Sequence, residues 1–222
     1  IGVEFQNRDL LEQAFVHRSY LNENPGFRLA HNERLEFLGD AVLELIVTEA
    51  LWRAYPDKPE GELTSLRAAL VNAKTLAEVS DGLGLNDFLL LSRGEEKDIG
   101  RARQFILANV FEALIGALYL DQGYDATEAF IARTLMPRLG EIVAKQLYRD
   151  PKSLFQEEAQ ERVGTTPAYE VLREGGPDHD KHFVVGVYLG RELVAEGEGP
   201  SKQIAQEAAA RNALEAKGWG NE

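Results

Sequence analysis

The chain has 222 residues, 44% of them hydrophobic and 27% charged, with a formal net charge of −13 and no cysteine. That length holds one large domain or two modest ones. The lack of Cys excludes a disulfide scaffold, thiolate metal sites and a cysteine nucleophile, and the acidity requires any nucleic-acid-binding patch to be small. It begins at Ile1 rather than Met, which leaves room for a native N-terminus or leader ahead of it.

Residues 7–21 read as a helix with Asn7 as N-cap and Leu10, Leu11, Ala14 and Phe15 on its apolar face. The Asn, Pro and Gly of NENPGFRLA, 22–30, mark a loop. The stretch HNERLEFLGDAVLEL, 31–45, then places Glu33, Glu36, Asp40 and Glu44 at i, i+3, i+7 and i+11. That spacing makes one carboxylate stripe along a helix running to about Tyr55. Leu35, Leu38, Val42 and Leu45 form the opposite, apolar stripe. Like charges one turn apart cost roughly 0.2–0.5 kcal/mol each, and Arg34 is the only base in the segment. An uncompensated stripe suggests a cation from solution, and hard oxygen donors suit Mg²⁺ or Mn²⁺ rather than zinc. The plainer alternative is an amphipathic helix with a solvated back.

The turn PDKPEGEL, 56–63, puts Glu60 just before a helix predicted over 63–79, where its simplest role is a first-turn acid favoured by the helix dipole. In FILANVFEALIGALYLDQG, 105–123, the only strongly polar side chains from Phe105 to Leu120 are Asn109 and Glu112. A helix apolar almost all round should be buried. These sixteen residues are too few for a membrane span, so the middle of a helical bundle is expected. A carboxylate there is costly unless paired, protonated or bound to a metal. Glu112 lies one turn from Asn109, and the acidic stripe elsewhere tips the balance to a shared metal site. One more amphipathic helix spans 126–145, interrupted near Pro137, and QLYRDPKS, 146–153, reads as a linker.

The last seventy residues change rhythm. A helix over 151–163, capped by Asp150 with Pro151 at its first position, precedes alternating segments at 168–174, 183–189 and 192–198. Ser201 caps a final helix running to about Lys217. Residues 149–222 carry 9 basic and 14 acidic side chains, a net charge of −5. The predicted fold is an all-helical domain at 1–147 followed by a small α-β-β-β-α domain at 150–220.

The residues NERLEFLGD, 32–40, resemble the signature of the bacterial ribonuclease III family. PEGELTSLRAALV, 59–71, and LANVFEALIGALYLD, 107–121, resemble that family's two further catalytic segments, in the same order. The C-terminal unit resembles the double-stranded-RNA-binding domain that follows them. The resemblance implies a homodimer with two active sites along a valley that holds an RNA duplex. It implies Mg²⁺-dependent hydrolysis, with Mn²⁺ able to substitute, to 5′-phosphate and 3′-hydroxyl ends with short 3′ overhangs. It also implies a cytoplasmic enzyme with no membrane contact and no organic cofactor, acting on ribosomal-RNA precursors and other structured RNAs.

On this resemblance Glu36, Asp40 and Glu112 match the family's metal-binding carboxylates, and Glu33 and Glu60 match its accessory acids. Asn109 stands where the family commonly has Asp. Its amide oxygen can coordinate a cation, but it brings no charge and its NH₂ must face away. Asn109 is then either a tolerated variant or a change that weakens catalysis, so a duplex-RNA-binding protein without activity is the alternative function. In the second domain the resemblance assigns Gln156, Glu157 and Gln160 to one minor groove. The loop GPDHDKHF, 176–183, with His179 and Lys181, would reach the next, and Ser201 and Lys202 would meet phosphate. Gln203, Ile204 and Gln206 stand where Lys or Arg is frequent, which predicts weak binding with a shallow salt dependence. A metal-dependent hydrolase of small phosphates is a third reading, but it leaves the second domain without a role.

Overall fold

The structure is a computed structural model describing residues 2–97, 100–177 and 181–219. It divides into two compact units, Ile1–Tyr148 and Arg149–Glu222. Among the described residues the first unit contains α1 (Arg8–Ala14), α2 (Arg18–Glu23), α3 (Glu33–Ala54), α4 (Glu60–Leu70), α5 (Ala73–Gly82), α6 (Arg93–Lys97), α7 (Arg101–Gln122), α8 (Tyr124–Thr134) and α9 (Arg138–Ala144).

The helix expected over 7–21 is two helices. The chain leaves helical geometry at Val16, which forms an isolated parallel bridge to Leu90. Hydrogen bonds from His17 N to Leu90 O, Leu90 N to Phe15 O and Asn32 N to Val16 O replace the intrahelical ones. Distant strands of chain thus satisfy the backbone of a fully buried Val16. The helix expected over 63–79 also divides, because Asn72 is extended and accepts from Thr75 N while donating to the carbonyls of Ala68 and Ala69. One side chain therefore closes α4 and opens α5. α4 begins at Glu60, earlier than expected, with Glu60 and Glu62 both in its first turn.

α7 is longer than the sixteen residues expected. At 22 residues it is long and apolar enough to cross a membrane by length and composition, yet most of it is buried within the first unit. From Ile106 to Leu118 every residue is buried except Asn109 and Glu112. α7 is the core helix of the bundle, and its side chains join those of Leu35, Val42, Leu43 and Ile46 from α3 in one apolar cluster. Burying each such large side chain contributes about 1.5–3 kcal/mol.

α3 and α7 meet at two glycines. A Cβ on Gly39 would lie 1.7 Å from the carbonyl oxygen of Glu112, and one on Gly116 would lie 2.2 Å from that of Leu35. The helices are in backbone contact, and only glycine fits on either side. The crossing places the residues around Gly39 directly over the turn that carries Glu112.

The second unit is α10 (Pro151–Val163), β1 (Ala168–Gly175), β2 (His182–Leu189), β3 (Glu192–Gly199) and α11 (Lys202–Lys217). The strands form one antiparallel sheet in the order β1-β2-β3. Asp150 caps α10 through Ser153 N, and Ser201 caps α11 through Ile204 N. α11 lies against β3 so closely that a Cβ on Gly197 would sit 2.0 Å from Ala209 N. Leu154, Phe155, Val187, Ala209, Ala213 and Leu214 form the core, with Phe155 stacked on Trp219.

Candidate active site

Of the acidic stripe on α3, the two ends are neutralised by bases remote in sequence. Glu33 pairs with Arg18 at 3.3 Å, and Glu44 accepts from Arg67 Nε at 2.8 Å. Arg67 also donates to Thr48 Oγ1 at 2.9 Å, so it is fixed along the α3 surface. Neither base could be assigned from the linear pattern, since both reach α3 only through the fold. Glu36 and Asp40, the middle of the stripe, have no such partner among the described residues.

Across the glycine crossing, α7 supplies Asn109 and Glu112. Burial, and then the charges of Asp40, Glu36 and Glu44, push the Glu112 carboxyl up to about 7. Glu36 is also raised, first by burial and then by Glu33 and Asp40, while a hydrogen bond from Asn109 opposes the rise. An ionised Asp at 109 could not donate such a bond. Glu36, Asp40, Asn109 and Glu112 form one electrostatically coupled group, with Glu33 beside it. Glu60 stands apart: it is exposed at the start of α4 and lines a small depression with Thr48, Leu51, Trp52, Leu63, Thr64 and Arg67. It is not among the charges that raise Glu36 or Glu112.

Among the described residues no three His, Asp or Glu side chains are arranged to hold a metal ion unaided. The chemistry of the donor set nevertheless fits a hard divalent cation. All donors are oxygens, and Glu36 and Glu112 are part-buried carboxylates raised by burial and by the charge of Asp40, so a counter-charge would relieve both repulsion and desolvation.

Leu45, expected on the buried stripe of α3, is 52% exposed; Gly39, Leu43 and Ile46 are buried instead. The buried face of α3 is rotated toward α7. The rotation leaves Phe37, Leu45 and Trp52 as an outward apolar row.

In the second unit Gln156, Glu157 and Gln160 are exposed on one side of α10, where they line a shallow groove with Ser153 and Glu161. His179 lies outside the described residues. Lys181 and Lys202 both face Glu174. The Ser201 hydroxyl accepts from Ile204 N at 3.2 Å, so its cap is already formed. Other bases of this unit are paired as well: Arg149 with Glu157, Arg162 with Glu158, Arg173 with Glu196 and Lys217 with Glu192.

The first unit gathers carboxylates at a helix crossing, and an α-β-β-β-α unit follows it in the chain. The family described as ribonuclease-III-like matches residues 7–139, and the double-stranded RNA binding motif matches residues 151–217. The chain belongs to the ribonuclease III family of endoribonucleases. It is 45% identical to Ribonuclease 3 of Desulforamulus reducens over 215 residues, covering 97% of this chain and 87% of that one. It is 43% identical to Ribonuclease 3 of Enterococcus faecalis over 213 residues, covering 96% and 92%. Among solved structures it is similar to the nuclease domain of ribonuclease III from Campylobacter jejuni, with 40% identity and a TM-score of 0.55. That match covers 60% of this chain and 90% of the other.

Proposed function

We propose that this endoribonuclease uses Mg²⁺ to hydrolyse both strands of an RNA duplex, leaving 5′-phosphate and 3′-hydroxyl ends with short 3′ overhangs. The observation that carries the reading is the coupled group Glu36, Asp40, Asn109 and Glu112 at the Gly39–Gly116 crossing. Glu36, Asp40 and Glu112 would hold the ion, with the Asn109 oxygen as a neutral donor. When bound, Mg²⁺ supplies an activated water and stabilises charge on the departing 3′ oxygen. The protein's own part is to hold these oxygens at a fixed helix crossing, and Arg18 and Arg67 keep the outer acids Glu33 and Glu44 engaged elsewhere. Ribosomal-RNA precursors in the cytoplasm are the substrates this reading favours.

The test is cleavage of an end-labelled RNA duplex with Mg²⁺, for this chain beside Asn109→Asp and Glu112→Gln. The unmodified chain should cut and Glu112→Gln should not; duplex binding by all three without any cut would sink the reading. Asn109→Asp exchanges a hydrogen bond to Glu36 for a repelling charge. It should lower the metal-free melting temperature and lower the Mg²⁺ needed for half-maximal cleavage on the order of tenfold, equivalent to ~1.4 kcal/mol of extra attraction. Unchanged Mg²⁺ dependence would remove Asn109 from the ion's surroundings.

We further propose a homodimer closed by α3. Phe37 is 82% exposed and Trp52 69%, and Leu45 lies between them at helical spacing. The row adjoins the acidic stripe, so pairing there would bring two sites to one duplex. Phe37→Glu should give a monomer in sedimentation at micromolar concentration, where the unmodified chain runs as a dimer, because a charge would enter an apolar interface. A dimer that survives this change would place the interface elsewhere.

A further inference from the structure

In the second unit one carboxylate faces two of the lysines that the duplex-binding reading assigns to RNA. Glu174 stands near the end of β1, where it pairs with Phe183 of β2. Its Oε1 lies 3.4 Å from Lys181 Nζ and its Oε2 lies 3.8 Å from Lys202 Nζ. Lys202, the first residue of α11, also rests over the Phe183 ring, with its Nζ 5.6 Å from the centroid. All three charged side chains are partly exposed, so the pairs can open. Each oxygen of one carboxylate faces one ammonium, which is the arrangement a phosphate would make with the same two lysines.

We propose that Glu174 is an intramolecular competitor for phosphate that sets the RNA affinity of the second domain. This rests on the reading that the domain binds duplex RNA through Lys202 and the start of α11. For a backbone phosphate to reach Lys202, the lysine must leave Glu174, and the Glu174 charge then stands beside the incoming phosphate. Both effects weaken binding, and both disappear when the carboxylate becomes an amide. Salt therefore has two opposing effects on RNA binding. Screening weakens the lysine–glutamate pairs as well as the lysine–phosphate contacts, which flattens the salt dependence of the unmodified protein.

The experiment measures binding of the full chain to a blunt RNA duplex longer than the motif's footprint of roughly 16 base pairs, in metal-free buffer so that nothing is cut. Four proteins are compared: the unmodified chain, Glu174→Gln, Lys202→Ala, and the double substitution. Glu174→Gln should bind about three- to tenfold more tightly at low salt, the scale of one or two exposed ion pairs. That gain should shrink as salt rises, with an unchanged melting temperature. Lys202→Ala should cost more affinity in the Glu174→Gln background than in the unmodified chain, since only there is the lysine free to serve phosphate. Equal costs in the two backgrounds, or no gain from Glu174→Gln, overturn the competitor role alone. If the unmodified chain binds no duplex, or Lys202→Ala costs nothing in either background, the duplex-binding reading of this face fails and the competitor role goes with it.

Discussion

Replacing Glu112 by Gln is expected to abolish cleavage and, in the metal-free protein at pH 8, to raise stability. The rate should fall by about 10³-fold or more, because a carboxylate ligand to a catalytic ion accounts for several kcal/mol of transition-state stabilisation. The stability gain follows from the Glu112 carboxyl being held at about 7, above its ordinary 4.5, chiefly by burial. A raised carboxylate binds more protons folded than unfolded, so stability is present at low pH and is lost as pH climbs from about 4.5 through 7. Gln is neutral throughout and avoids that loss. The gain at pH 8 should be about 1–2 kcal/mol, after allowing for the group's partial solvent exposure, or roughly 2–8 °C in the melting temperature. It should narrow on acidification and close near pH 4. Mg²⁺ should raise the melting temperature of the unmodified chain at pH 8 much more than that of the variant. Equal melting temperatures at pH 8 and equal responses to Mg²⁺ would show that Glu112 is neither strained nor a ligand.

Gly39→Ala is expected to be the most damaging single-methyl change in the first unit. Its Cβ would fall 1.7 Å from a backbone carbonyl that no side-chain rotation can move. Either α3 and α7 separate along their whole contact or one of them bends. The cost should be about 3 kcal/mol or more, roughly 6–12 °C in a domain of this size, with activity lost beyond what the melting curve explains. Gly140→Ala in α9 is the control, since a Cβ there meets nothing within 4 Å. It should be neutral or slightly stabilising, as an Ala replaces a helical Gly. If Gly39→Ala melts with the unmodified chain, the close crossing is not how these helices pack.

The second unit was readable from sequence almost to the residue because its boundaries are local chemistry. Asp150 with Pro151 and Ser201 are caps, and the strands fall where the segments between turn residues placed them. Their burial does not alternate, however: β2 has a continuous buried run and β1 is almost wholly exposed. In the first unit α3 and the core character of α7 were equally readable, the one from its stripes and the other from its near-total lack of polar side chains. The breaks at Val16 and Asn72 were not, because they depend on partners elsewhere. Leu90 captures the backbone at Val16, and the Asn72 side chain bonds in both directions. The same holds for the site. Glu36, Asp40, Asn109 and Glu112 were legible as candidates, but the neutralisation of Glu33 and Glu44 by Arg18 and Arg67 was invisible, since helical spacing says nothing about bases on other helices. The outward row of Phe37, Leu45 and Trp52 was hidden for a related reason. Which apolar residues of α3 face inward is decided by where α7 lies, and two glycines decide that.

The paired bases of the second domain bear on how the enzyme moves through a mixture of RNAs. Sequence-independent attraction to polyphosphate comes from unpaired positive charge, and it sets how long a protein dwells on each wrong partner. A chain of net charge −13 whose second domain holds most of its bases against glutamates has little of that attraction to offer. Single strands, the most numerous competitors, give it neither groove shape nor enough phosphate contacts to open those pairs. It is expected to leave them quickly, with a search time governed by encounters with duplex rather than by escape from everything else.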